Sequence, residues 1–142
     1  MKNEILAATT ILMVVALGCG STIQTQVPAE TPIAPVVRGE YLVKKVAMCG
    51  DCHTPRNADG SLDEARWLQG AELDFAPVQP IPVWGGYAPS LAGLVGWTDE
   101  AAAALFESGV GRGGQPLRPP MPHYRMNRED AAAVIAYLRS LE

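Results

Sequence analysis

Apolar residues recur at helical spacing in three places along this chain, and the stretches between them carry no period. The first place holds Leu42, Val46 and Cys49, at spacings of four and three, which puts them on one stripe of a helix. The pattern predicts a helix from about Gly39 to the cysteines, with Tyr41 and Val43 beside the stripe and Lys44 and Lys45 on its wet side. The second is punctuated at both ends. Thr98 is a natural N-cap, Asp99 and Glu100 suit the positive end of a helix dipole, and Gly109 follows the last helical residue, Ser108. Trp97 is placed to staple against Ala102, with Leu105 and Phe106 toward a core. The third opens on Asn127, with Asp130 three residues on, and runs to Leu141. Val134, Tyr137, Leu138 and Leu141 make its apolar face, and Met126 is placed to staple against Ala131.

The intervening stretches are rich in turn formers. Thr54 to Ser61 reads as a turn, Glu64 to Leu68 as a short helix ended by Gly70. Asp59, Ser61 and Asp63 lack the full spacing and terminal Glu of a calcium loop, so a solvated turn is the better reading. From Ala71 to about Gly96, four prolines exclude a regular helix or a central strand. A loop this long needs something to wrap. Trp84 and Tyr87 are candidates to cover a bound group or bond its polar edge, with plain packing as the alternative. A second irregular stretch, with Gly111, Gly113, Gly114 and Pro116, leads into Pro120-Met121-Pro122-His123-Tyr124.

The first residues differ in kind. Lys2 followed by an apolar run from Ile5 to Gly18 reads as an export signal, too short to span a bilayer comfortably. Ala16-Leu17-Gly18-Cys19 resembles the lipobox of bacterial lipoproteins, in which the chain is cut before Cys and that thiol is acylated. An ordinary signal peptide or an uncleaved anchor are the alternatives. Residues 19–37, with Pro28, Pro32 and Pro35, read as an extended tether that holds a domain of residues 38–142 off a membrane.

Cys49-Gly50-Asp51-Cys52-His53 is the strongest chemical signal. Cys-x-x-Cys-His is the attachment signal of c-type haem: two thiols add across the porphyrin vinyl groups, and the adjacent imidazole is placed under the iron. A thioredoxin-like pair wants a strand before the first Cys, and none is predicted. A closed zinc site needs four ligands, and outside this cluster the chain offers only Cys19 and His123. Haem with lipid also accounts for all 3 cysteines: two thioethers to porphyrin and one to lipid. With 142 residues and only 6% aromatics, side chains alone would make a thin core, and a porphyrin supplies the missing apolar mass. The net charge of -4 argues against nucleic acid as a partner.

From about Arg38 to Glu142 the order of features resembles a class I cytochrome c. The shared features are a first helix, Cys-x-x-Cys-His, a wrapping loop, a middle helix, Met121-Pro122, and a last helix ending Ala136-Tyr137-Leu138-Arg139-Ser140-Leu141. The resemblance implies an all-α fold of three to four helices, with long loops around one covalent haem c held by Cys49 and Cys52. It implies a crossing of first and last helices that brings Gly39 and Tyr41 near Tyr137. It also implies Met121 as sixth ligand opposite His53; His123 as ligand, or Met121 as plain core, are the alternatives. In many relatives a Pro soon after the haem signal accepts the His ring N–H. Pro55 is too close and the next is Pro77, which leaves that acceptor open.

The function implied is one-electron transfer between membrane or periplasmic redox partners, by an exported, lipid-anchored protein on the periplasmic side of a bacterial membrane. Lys44 and Lys45 are candidates to guide an acidic partner. A relay subunit of a larger dehydrogenase or oxidase, and a gas sensor with a labile sixth ligand, are the alternatives.

Overall fold

The computed structural model describes residues 33–141. The export segment, Cys19 and most of the expected tether lie outside the described residues. The first helix, α1, spans Pro35–Tyr41 with Pro near its N-terminus, where a missing N–H costs nothing. It therefore takes up Pro35 to Val37, which the sequence pattern assigned to the tether.

The helix then widens into a π-type turn over Leu42–Val46. Ala47 N–H reaches the Leu42 carbonyl at 2.7 Å, and Cys49 N–H the Val43 carbonyl at 3.0 Å. At Met48 the chain breaks, with φ 49°. The expected stripe is interrupted at Val46: Leu42 and Cys49 are buried, with Val43 beside them, but Val46 is 53% exposed and Tyr41 54%. An extra residue in a turn rotates all that follows, so a period of 3.6 no longer tracks one face. A separate single turn, α2 (Gly50–His53), carries the second cysteine and the histidine.

The other two helices form where their caps and apolar faces predict. In α3 (Asp99–Ser108) Thr98 Oγ1 accepts the Ala101 N–H at 3.2 Å, and Gly109 ends it at φ 70°. It buries Ala102, Leu105 and Phe106, and Trp97 packs against the same core. In α4 (Arg128–Arg139) Asn127 Oδ1 accepts the Asp130 N–H at 2.8 Å. The helix buries Val134, Tyr137 and Leu138, with Leu141 packed beside them beyond its end. Helices α1 and α4 cross at Gly39, where a Cβ would run into the Ala133 carbonyl and the Tyr137 Cβ. Arg38 closes the crossing with an ion pair to Asp130 at 2.9 Å. The C-terminal turn of α4 is pinned by Arg139, which donates to the carbonyls of Gly93 (2.9 Å), Leu94 (3.0 Å) and Trp97 (2.6 Å).

The long loop has its own order. Strands β1 (Ala71–Glu72) and β2 (Tyr87–Ala88) pair antiparallel, Ala71 opposite Ala88. Leu68, fully buried, is the hub: its N–H goes to Thr54 Oγ1 at 2.9 Å, and its carbonyl takes the N–H groups of Leu91 (2.9 Å) and Ala92 (3.2 Å). The expected short helix is a single tight turn, Glu64–Arg66, capped by the Asp63 carboxylate.

Candidate functional site

One cavity of about 480 Å³ sits against α2 and is lined by Cys49, Cys52, His53 and Met121 together with Leu94, Leu105 and Phe106. Cys49 is buried and Cys52 half-buried, and neither is in a disulfide. Before haem is attached, burial pushes the Cys49 thiol up to about 11, and also raises that of Cys52. The local chain explains their placement: the break at Met48 turns α2 away from α1, so that both cysteines and His53 reach one cavity.

His53 is buried, and its Nδ1 lies 2.6 Å from the Pro89 carbonyl. A carbonyl only accepts, so Nδ1 carries the hydrogen and Nε2 keeps its lone pair. Burial lowers the imidazole's proton affinity, partly offset by the bond to Pro89, which favours the neutral ring that can ligate a metal. This settles the acceptor that the sequence left open. Pro89 lies 36 residues from His53, beyond any local spacing rule, and reaches it because the loop after Leu68 folds back.

The Met121 segment also borders the cavity. Met121 N–H bonds the Arg118 carbonyl at 3.1 Å, and the Pro119 carbonyl takes the Gly85 N–H at 2.7 Å. Tyr124, also on the cavity, donates its hydroxyl to the Ala47 carbonyl at 3.0 Å. Burial raises that phenol well above its ordinary range. Sequence reasoning passed over Tyr124; an aromatic residue so soon after a Met in a Pro-flanked loop was the available signal.

Other candidates fall elsewhere. His123 does not line the cavity: it is exposed, with Nε2 3.1 Å from the Leu117 carbonyl, packed on Gly109. Trp84 does not line it either, and stands edge-on to Phe75 at 5.8 Å. Tyr87 does line it, half in solvent, and so does Trp97, under the Arg112 guanidinium at 5.0 Å. Met126 packs against the core and bonds Phe106 through its N–H at 3.1 Å. Lys44 pairs with Glu40 at 2.8 Å and lies over the Trp67 ring. Trp67 was also missed. Its ring lies flush on Gly50, and its indole N–H donates to the Tyr137 hydroxyl at 3.1 Å, joining the haem signal to α4.

The donor set and cavity fit a covalent porphyrin: two thiols, a tautomer-fixed imidazole and a thioether border a mostly apolar space within the roughly 300–1,000 Å³ usual for cofactors. A family model described as "Cytochrome c" matches residues 36–142. The chain belongs to the cytochrome c family. Its cofactor is covalent haem c, attached through Cys49 and Cys52. This cytochrome is similar to a "Diheme cytochrome c-type" protein of Cereibacter sphaeroides, 33% identical over 108 residues, covering 72% of this chain and 34% of that one. It is also similar to the "Fructose dehydrogenase cytochrome subunit" of Gluconobacter japonicus, 31% identical over 109 residues, with 73% and 21% covered. A third relative is the cytochrome c subunit of the quinone alcohol dehydrogenase of Gluconobacter oxydans, 38% identical over 79 residues, with 52% and 16% covered. The chain thus spans about a third or less of the length of these relatives.

Proposed function

We propose that this cytochrome carries single electrons, with His53 and Met121 as the two axial ligands. The observation that carries the reading is that a neutral, tautomer-fixed His53 and the Met121 thioether line one apolar cavity with the two attachment thiols. When bound, haem c supplies the one-electron ferric/ferrous couple, and a thioether opposite imidazole raises its potential relative to two imidazoles. The chain's own residues do the rest. Pro89 holds the His53 ring in one tautomer; Leu94, Leu105 and Phe106 line the cavity with apolar surface that excludes water; Met121 would occupy the iron position that a substrate or gas would otherwise take. The protein is an electron carrier and not a catalyst. His123, the candidate distal acid-base group of a sensor or peroxide-reducing enzyme, lies outside the cavity, which favours the carrier.

Residues 1–18 act as an export signal, Cys19 as a lipidated anchor and the segment after it as the tether, so the domain works on the periplasmic side of a bacterial membrane. The Ala16-Leu17-Gly18-Cys19 motif supports this. No helix among the described residues is long and apolar enough to cross a membrane. Its partners are redox proteins met transiently, as electron-transfer encounters bury little surface. The names of two relatives, cytochrome subunits of dehydrogenases, favour a second reading in which the domain is a fixed relay inside such a complex. Purification as a monomer would count against it.

Absorption spectra of the matured holoprotein test the ligand set. The expected result is a low-spin spectrum with a far-red ferric band that disappears in Met121→Ala, and no response of the reduced protein to carbon monoxide until Met121 is removed. A wild-type protein that binds carbon monoxide at once, or a far-red band that survives Met121→Ala, overturns it.

A further inference from the structure

Between Val46 and Cys49 the chain changes course. The widened turn ends with Ala47 N–H on the Leu42 carbonyl, Met48 takes φ 49°, and Asp51 N–H bonds the Met48 carbonyl at 3.1 Å. In a continuous α-helix the Asp51 N–H would reach the Ala47 carbonyl instead. The break therefore leaves the Ala47 oxygen in need of another donor. Among the described residues that donor is the Tyr124 hydroxyl, at 3.0 Å, from 77 residues away.

The two ends of this bond are telling. Tyr124 follows Met121 by three positions, and Ala47 precedes Cys49 by two. The other ties of the Met121 segment run elsewhere: Leu117 to Gly109, Pro119 to Gly85, Met126 to Phe106. Among the described residues, Tyr124 to Ala47 is the only hydrogen bond joining residues 117–126 to the segment that carries the two attachment thiols. The ring itself leans on Phe106, centroids 6.5 Å apart and tilted by 49°. Packing and hydrogen bond thus come from different parts of the side chain, and can be separated by substitution.

We propose that Tyr124 is a positioning residue for the sixth ligand: its hydroxyl, bound to the Ala47 carbonyl, ties the Met121 segment to the haem-bearing segment and holds the Met121 sulfur in place. The inference rests on the reading of Met121 as ligand. Excursions of this segment take Met121 away from the cavity, and each excursion must first break the Tyr124–Ala47 bond. The bond therefore sets how often the sixth position opens, separately from the stability of the fold.

The test uses the matured holoprotein, reduced and mixed with carbon monoxide, beside a pH titration of the far-red ferric band. Tyr124→Phe keeps the ring and removes the oxygen. The expected result is a rise in the carbon monoxide binding rate by about tenfold, the fold-change matching one hydrogen bond of ordinary net strength. The far-red band is also expected to vanish at a lower pH than in the wild type. Gly39→Ala, at the crossing of α1 and α4 and away from the cavity, keeps the hydroxyl and weakens the fold; it is expected to lower Tm with a much smaller change in carbon monoxide rate. Tyr124→Leu removes the hydroxyl, keeps apolar bulk and adds no iron-binding atom, and is expected to raise the rate at least as far as Tyr124→Phe. It carries the test if Tyr124→Phe yields no folded holoprotein. A Tyr124→Phe (or, in that case, Tyr124→Leu) rate equal to wild type overturns the inference, as does a Gly39→Ala rate as high as that of Tyr124→Phe. Failure of the ligand assignment looks different, because the far-red band would then be absent from the wild type or indifferent to Met121→Ala.

Discussion

Thr54 stands next to His53 and is 1% exposed, with its hydroxyl accepting the Leu68 N–H at 2.9 Å. The same Leu68 peptide receives Leu91 and Ala92 through its carbonyl, and so holds the loop that presents the Pro89 carbonyl to His53 at 2.6 Å. In the sequence Thr54 reads only as a turn former, since nothing local says that it will be enclosed. Thr54→Val keeps the shape and strands a buried N–H, so a loss of about 1–3 kcal/mol is expected. Guanidinium unfolding of the holoprotein measures it, and a loss near zero would mean that Leu68 N–H finds water. The His53 tautomer belongs to this scale too: the histidine is legible from Cys-x-x-Cys-His, whereas its acceptor is a backbone atom, and backbone atoms carry no sequence signature.

At the scale of elements, the crossing of α1 and α4 is set by the missing side chain of Gly39. A Cβ there would meet backbone, the Ala133 carbonyl, which cannot rotate out of the way as a side-chain end can. Gly39→Ala is therefore expected to push the helices apart and cost about 1–3 kcal/mol, despite the better helix propensity of alanine. A lower denaturant midpoint at unchanged slope checks this, and a gain in stability would show that the crossing tolerates a methyl group. The caps of α3 and α4 are local devices, and Thr98, Gly109 and Asn127 are readable from the chain because each acts within one turn. The π-type turn of Leu42–Val46 is not local in this sense. It lets α1 bury Leu42 and Val43 while α2 swings its cysteines into the cavity, and that compromise depends on α4 and on Tyr124.

For the whole molecule, the cavity of about 480 Å³ is large against the helices that surround it. Fully buried large side chains are few, among them Leu68, Leu138, Val43, Val134 and Thr54. The haem is then part of the core, and the covalent bonds to Cys49 and Cys52 keep it there. The double substitution Cys49→Ser with Cys52→Ser is expected to yield protein without covalent haem and without a cooperative thermal transition. Mass spectrometry reads the missing haem, and circular dichroism through a temperature ramp reads the transition. A sharp transition in that variant would mean that the side-chain core suffices.

Local residue pattern is enough to specify the chemistry and the helices that are capped and periodic. Cys49, Cys52 and His53 announce haem because the attachment reaction needs those groups at that spacing, and α3 and α4 announce themselves because capping and amphipathic burial act over a few residues. Tertiary structure decided what depends on distant backbone: the bend at Met48, the Pro89 carbonyl beneath His53, the exclusion of His123 and Trp84 from the cavity, and the Tyr124 bond to Ala47. Each is a hydrogen bond or an exclusion between segments far apart in the chain. Their geometry exists only after the loops have closed around one space, so no local period or spacing encodes it.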